Sequence, residues 1–313
     1  MLSEPSPVLD PNVDRVCAAV LGLLLPHRRA ADPEVPATPD DFPRQRRQLA
    51  RFVEAGEEIA FTLPAFPCKS PSPSKVLGHL PDAGERLSLG FLDALCARIG
   101  RLYEPGARIV VCSDGHIFGD LIGVPDPRID SYADELAVVV RREGLRHLSL
   151  FDLRSVLGDL PHDEKRAAVH ARYAPSLEEL RAEVRRDETA LALYRGITRF
   201  LAEDTTGFDG TRSALQRACR ERAYGVIQRS RAWGRLVEEH HPHAVRLSIH
   251  PQPRGAGKFG IRLLEAEDLW TTPWHATAFR QADGSWRLMR RSEAEQRGRL
   301  VLHAGRPSHF EAA

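Results

Sequence analysis

The chain has 313 residues, 42% of them apolar and 28% charged, with a formal net charge of +1. That balance fits a globular protein with a sizeable core and excludes the basic footprint of a general nucleic-acid binder. Its five cysteines are widely spaced with no C-x-x-C pair, so they offer neither a zinc knuckle nor a disulfide framework and suit a reducing compartment.

Residues 1–14 are acidic and proline-bearing, without the basic start of a signal peptide. The apolar run over 16–25 is too short to span a bilayer. The expectation is a cytoplasmic protein that makes no membrane contact. Asp14 is placed to cap a helix running to about Leu25 and ended by Pro26. The proline-rich, acidic stretch 30–43 reads as a linker. This divides the chain into an N-terminal helix and linker (1–44), a single α/β domain (45–298) and a weakly structured tail (299–313).

A second amphipathic helix is expected over 42–56, then a short strand over 59–63. From its end runs T-L-P-A-F-P-C-K-S-P-S-P-S-K-V-L-G-H-L-P-D, residues 62–82. Its prolines each remove an N–H and fix φ, forbidding a helix interior or central strand. Lys69, Ser70 and Lys75 give this stiff loop cations and hydroxyls, the equipment for holding an anion such as a phosphate. A surface crossover with solvated lysines is the plain alternative. Leu92, Leu95, Ile99 and Leu102 mark a helix over 85–102. Ile109 to Cys112 is a buried-strand run that ends in S-D-G-H-I-F-G-D, residues 113–120. A helix over 131–142 and a strand over 147–152 follow.

Strands alternating with helices imply a parallel sheet, and in such sheets ligands bind beyond the carboxyl ends of the strands. Both the proline-rich loop and the S-D-G segment leave strands at that rim. Residues 176–200 read as helical, opened by a capping box at Ser176 and Glu179, and 211–240 as a long arginine-crossed helix. Strand-like runs follow at 245–250, 258–264, 275–280 and 285–290, the last two joined by a Q-A-D-G turn as an antiparallel hairpin. The fold class is therefore α/β: a Rossmann-like three-layer core with parallel strands, a helical middle and an antiparallel C-terminal strand section.

No Walker A or G-x-S-x-G motif is present, and the G-x-G-x-x-G spacing at 255–260 runs into a strand-like stretch rather than opening a helix, so no nucleotide or flavin cofactor is implied. Gly255-Ala-Gly-Lys258 lacks the rest of a phosphate loop. Asp114, His116 and Asp120, with His250 and His275 at later strand ends, carry donors that suit a divalent metal if they converge. An Asp-Gly pair after a strand is equally ordinary turn chemistry. His250, Lys258, Trp274 and His275 mark two polar loops beside paired strands, the form of a site wall.

Six segments in this order, residues 63–82, C-S-D-G-H-I-F-G-D-L-I-G-V (112–124), R-F-L-A-E-D (199–204), V-I-Q-R-S-R-A-W (226–233), R-L-S-I-H-P-Q (246–252) and T-P-W-H (272–275), resemble the isocyanide (isonitrile) synthase family. That family includes the fungal dityrosine-wall biosynthesis proteins. The resemblance covers residues 15 to 295. It implies a synthase needing no cofactor or metal, which condenses the α-amine of an amino acid, typically tryptophan or tyrosine, with ribulose 5-phosphate. The keto carbon of the sugar becomes the isonitrile carbon, and a downstream oxygenase is a natural pathway partner. The fungal relatives imply an N-formyl-tyrosine alternative, and a metal-dependent enzyme is the other class to exclude.

On this reading Asp114, His250, His275 and Lys69 are the catalytic candidates. Ser70, Lys75, Ser113, His116, Phe118, Arg229, Lys258 and Trp274 are the substrate-binding ones, with Phe66 as a further apolar wall. The chain departs from the family pattern at Cys68, where Ala is usual, and at His116, where bacterial members more often carry Arg.

Overall fold

The computed structural model describes residues 9–265 and 271–312. The acidic N-terminal stretch lies largely outside the described residues, as does Ala313. In chain order the first elements are α1 (Pro11–Leu24), α2 (Pro43–Ala55), β1 (Ile59–Pro64), α3 (Ala83–Gly100), β2 (Ala107–Cys112), α4 (Gly115–Ile122), α5 (Asp126–Arg142) and β3 (Leu148–Phe151). The helical middle comprises α6 (Leu153–Leu157), α7 (His162–Tyr173), α8 (Leu177–Arg186), α9 (Glu188–Asp204) and α10 (Arg212–His240). Then come β4 (Val245–Ser248), β5 (Phe259–Gly260), β6 (Thr277–Arg280), β7 (Trp286–Met289), α11 (Arg291–Ala294), β8 (Gly298–His303) and β9 (Arg306–Ala312).

The main sheet is parallel with order β3-β2-β1-β4-β5. This is the doubly wound order, whose direction reverses between β1 and β4. Period-two alternation along β2 builds the layers. Ile109 and Val111 join a core with residues of α1, α2, α3 and α5, while Val110 and Cys112 join the opposite core with Trp233 and Leu236 of α10 and Val169 of α7. The loops after β1, β2 and β4 therefore share the carboxyl rim, as the sequence pattern requires. No helix among the described residues is long and apolar enough to cross a membrane.

Three boundaries differ from expectation. Helix α1 is capped by Asp10 rather than Asp14, and its Cys17, Val20, Leu21 and Leu24 are buried in the same core as β1 and α3. The linker also touches the sheet edge, through bridges from Arg28 to Ile261 and from Ala30 to Gln252. The strand expected over 258–264 shrinks to two residues, and the middle helix breaks at Asp187, which caps α9.

The tail is the clear correction. Residues 298–312 are two strands of a second sheet with order β7-β6-β9-β8, where β9 runs parallel to β6 and antiparallel to β8. The signal is faint because Leu300 and Leu302 of β8 face solvent, leaving Phe310 as the main anchor, packed with Phe279 and Met289.

Candidate active site

The proline-rich loop leaves β1 through Phe66, a non-glycine residue at φ 55, a sparsely populated conformation for a bulky side chain. Its ring is fully buried against Trp274 at 5.1 Å, and its carbonyl accepts a hydrogen bond from Ser113 Oγ at 2.9 Å. Gly115 presses on the next residue so closely that a Cβ there would stand 2.1 Å from the Pro67 carbonyl oxygen. The loops after β1 and β2 are thus locked together where α4 begins.

Lys69 does not face a ligand. Its ammonium is fully buried, 2.8 Å from both Asp82 and Glu85 and 2.9 Å from the Pro273 carbonyl. Asp82 and Glu85 form the capping box of α3, so Lys69 staples the loop to that helix. The two carboxylates outweigh burial and hold its ammonium protonated, while burial pushes Glu85 upward. Tyr132 completes the network by donating to Glu85 Oε1 at 3.1 Å.

Lys75 and Ser70 instead converge on Asp204, a carboxylate only 1% exposed that sequence reasoning missed. Ser70 Oγ donates to Asp204 Oδ2 at 2.8 Å, Lys75 Nζ bonds Asp204 Oδ1, and Glu203 stands 3.5 Å from the same ammonium. His275 Nε2 lies 4.0 Å from Asp204 Oδ2, and its Nδ1 shares a 3.0 Å hydrogen bond with Thr272 Oγ1. Acids at the C-terminus of α9 oppose its dipole, so the helix alone does not explain them. Their signal was present in R-F-L-A-E-D, whose Phe200 also stands edge-on to His275 at 4.9 Å.

His275 keeps 31% of its side-chain surface, yet desolvation pushes its pKa down to about 4 against the opposing pull of Asp204. His250 behaves likewise: it is exposed, and desolvation, Lys258 and Arg29 bring it to about 4. A group that solvent reaches but protein surrounds lies in a cleft. Lys258 acts on His250 and is itself half-buried and without a salt bridge among the described residues, its pKa lowered first by desolvation and then by Arg246. Asp114 occupies the N-cap position of α4 without capping it, and desolvation raises its carboxyl to about 7. The buried Cys68 thiol is pushed upward by burial first, and then by the charges of Asp114 and Asp204.

Other candidates are placed elsewhere. Trp274 is 2% exposed and supports the loop from behind rather than lining a slot. Phe118 is wedged between the two cores flanking α4. Arg229 is engaged by Asp120 at 2.5 Å and by the Ile117 carbonyl at 3.1 Å. His116 turns away from the cleft to Asp130 and His162. The metal set Asp114, His116, Asp120, His250 and His275 is therefore not assembled. A recess of about 240 Å3 borders the loop at Cys68, Ser70 and His79, with Arg128 and Arg291 opposite, and neither His250 nor His275 lines it.

A doubly wound α/β core with a desolvated cluster of acid, base and cation at the strand ends defines a small-molecule enzyme. The family model for the pyoverdine/dityrosine biosynthesis protein matches residues 49–301. The chain is 47% identical over 300 residues to the L-tyrosine isonitrile synthase of Pseudomonas aeruginosa, covering 92% of this chain and 91% of that one. It is 42% identical over 264 residues to the L-tryptophan isonitrile synthase AmbI2 of Fischerella ambigua, with 83% and 79% covered. The crystal structure of the PvcA protein from Pseudomonas aeruginosa superposes with a TM-score of 0.89 at 46% identity, covering 95% of this chain and 100% of that one. The chain belongs to the pyoverdine/dityrosine biosynthesis family and is an enzyme of the isonitrile synthase type.

Proposed function

We propose that the enzyme joins the α-amine of an aromatic amino acid, tyrosine or tryptophan, to the keto carbon of ribulose 5-phosphate and converts that amine into an isonitrile. The observation that supports this best is the Asp204 cluster, where a buried carboxylate fixes Lys75 and Ser70 and stands beside an unprotonated His275. Amine addition to a ketone gives a carbinolamine, and loss of water from it needs a proton delivered to the departing oxygen. A neutral imidazole accepts the amine's proton and returns it to that oxygen, with general acid–base catalysis of about 10²–10⁴-fold. His250 is the second imidazole in the cleft for the later proton removals beside the imine. Asp114, free of capping duty, is on this reading the acceptor of a hydrogen bond from the amine.

The anionic ends of the substrates fall to Lys258, because Lys69 is fully engaged and Lys75 is held by two acids. Phe200, half-buried beside His275, offers a ring face or edge to an aromatic substrate. Five free, buried cysteines agree with work in the cytoplasm, and a downstream oxygenase would consume the isonitrile. The test is incubation of chelator-treated enzyme with ribulose 5-phosphate labelled at the keto carbon and each aromatic amino acid in turn, read by mass spectrometry. Label in an isonitrile is the expected result. Label found only in an N-formyl product that does not arise by hydrolysis favours the dityrosine-type alternative, and no labelled product overturns the sugar-phosphate assignment.

A further inference from the structure

Where α4, α5 and α7 meet, two imidazoles and a carboxylate from the three helices come together. His116 is in the first turn of α4, Asp130 is on α5, and His162 is the first residue of α7. His116 Nε2 lies 3.1 Å and His162 Nε2 3.2 Å from the same oxygen, Asp130 Oδ1. The two rings are stacked with centroids 4.0 Å apart and 4° between planes. The donor atoms of all three groups fall within 4.8 Å of one another.

Proximity alone would suggest ordinary histidine–carboxylate hydrogen bonds, but those do not account for the cluster. His162 Nε2 does bond Asp130, through Oδ2 at 3.3 Å. His116 Nε2 and Asp130 Oδ1, despite their 3.1 Å separation, are both buried without a hydrogen-bond partner. The His116 side chain is only 10% exposed, so water does not readily supply the missing bond. A buried carboxylate oxygen and a buried imidazole nitrogen 3.1 Å apart, neither of them hydrogen-bonded, form a pair that a cation can satisfy.

We propose that His116, Asp130 and His162 bind one divalent first-row transition ion of the zinc class. Two imidazoles and a carboxylate suit such an ion, whereas calcium and magnesium prefer all-oxygen shells. Bond lengths of about 2.0–2.2 Å to each donor require donor separations near those already found around Asp130 Oδ1. The stacked rings must tilt apart so that each lone pair points at the ion, and solvent completes the coordination on the Asp130 side, which is 31% exposed. The neighbouring arginines allow it. Arg166 is held by Asp126 at 2.8 Å, and Arg154, 3.8 Å from Asp130 and half exposed, is free to swing outward. The bound ion cross-links α4, α5 and α7.

The test uses tag-free, chelator-treated protein titrated with zinc against a chromophoric competitor, and with cobalt followed by its visible absorption. The parent is expected to bind one equivalent and to melt at higher temperature with added zinc, by mass action. His116→Ala, Asp130→Asn and the conservative His162→Gln should each weaken binding by about 10–100-fold or more. His250→Gln and His275→Gln should leave it unchanged. Absence of stoichiometric binding to the parent overturns the proposal, as does equal binding by the His116 and His162 variants or loss of binding in the cleft variants. The isonitrile activity is a separate matter, because Asp204, His250 and His275 take no part in the cluster and removal of the ion should leave turnover in place.

Discussion

Asp204→Asn isolates the group on which the cleft depends. The substitution keeps an amide oxygen to accept from Ser70 but removes the charge facing Lys75, whose side chain is only 7% exposed. Removing one partner of a buried ion pair costs about 3–5 kcal/mol, because the other charge is left uncompensated. Glu203 lowers that figure, since it stands 3.5 Å from the same ammonium, although it is 40% exposed and partly shared with Arg290. The expected loss is therefore about 2–4 kcal/mol, a large share of a typical folding free energy of about 5–15 kcal/mol. Urea unfolding measures it as a lower midpoint at unchanged slope. Lys75→Met on the Asp204→Asn background should restore part of the loss, since no buried charge then lacks a partner, giving a coupling energy of about 2 kcal/mol. An Asp204→Asn variant within about 0.5 kcal/mol of the parent, or strict additivity of the two substitutions, would refute the claim that the two groups are energetically paired.

Lys258→Met should raise the KM for the sugar phosphate by at least about tenfold with little change in stability, checked by steady-state kinetics, since losing one charge-assisted hydrogen bond costs about 1.5–3 kcal/mol. His250 and His275 both titrate near 4 in the fold, below the ordinary value of 6.5. The unfolded chain thus binds more protons between those values, so their contribution is intact above about 6.5 and is lost as pH falls toward 4. Chemical denaturation across pH 4–7 should show stability falling on the acid side, and the slope should be shallower in His275→Gln. Gly115→Ala forces a Cβ to 2.1 Å from the Pro67 carbonyl and 2.8 Å from Ile129 Cγ2. Overpacking of this kind costs about 1–3 kcal/mol, and kcat should fall with the thermal midpoint as α4 is pushed off the loop.

Much of the scaffold was legible because its signals are local. The continuous apolar run Ile109 to Cys112, the capping box at Ser176 and the turn before Trp286 each carry their structure within a few residues. Strand–helix alternation was enough to put the loops after β1 and β2 on one rim. Partner choice was not legible. Lys69 and Lys75 are six positions apart on one loop, yet the first is enclosed by the capping box of α3 and the second meets acids from the end of α9. Nothing within the loop distinguishes them; the difference lies in what the distant helices bring. Likewise His116 looks like part of the S-D-G segment until helical geometry turns it toward α5 and α7. The second sheet was hidden for a related reason, since β8 gains its place from pairing rather than from a buried face.

That second sheet also braces the loop at the rim of the first. The Pro273–His275 turn leads directly into β6, and Trp274 receives a hydrogen bond from the Ser70 amide at 2.8 Å. On the other side of the loop, the amides of Arg291 and Ser292 bond the carbonyls of Lys75 and Ser74 at 3.1 and 3.0 Å. Both clamps flank β6 and β7, in a sheet whose other inner strand beside β6 is β9, residues 306–312. The contacts of Lys69 with α3 and of Ser70 and Lys75 with Asp204 hold the loop from the side of the parallel core, and these two backbone clamps hold it from the side of the second sheet. The geometry of the loop therefore depends on strands remote from it in sequence, and a destabilising change in β9 would be felt at Ser70 and Lys75.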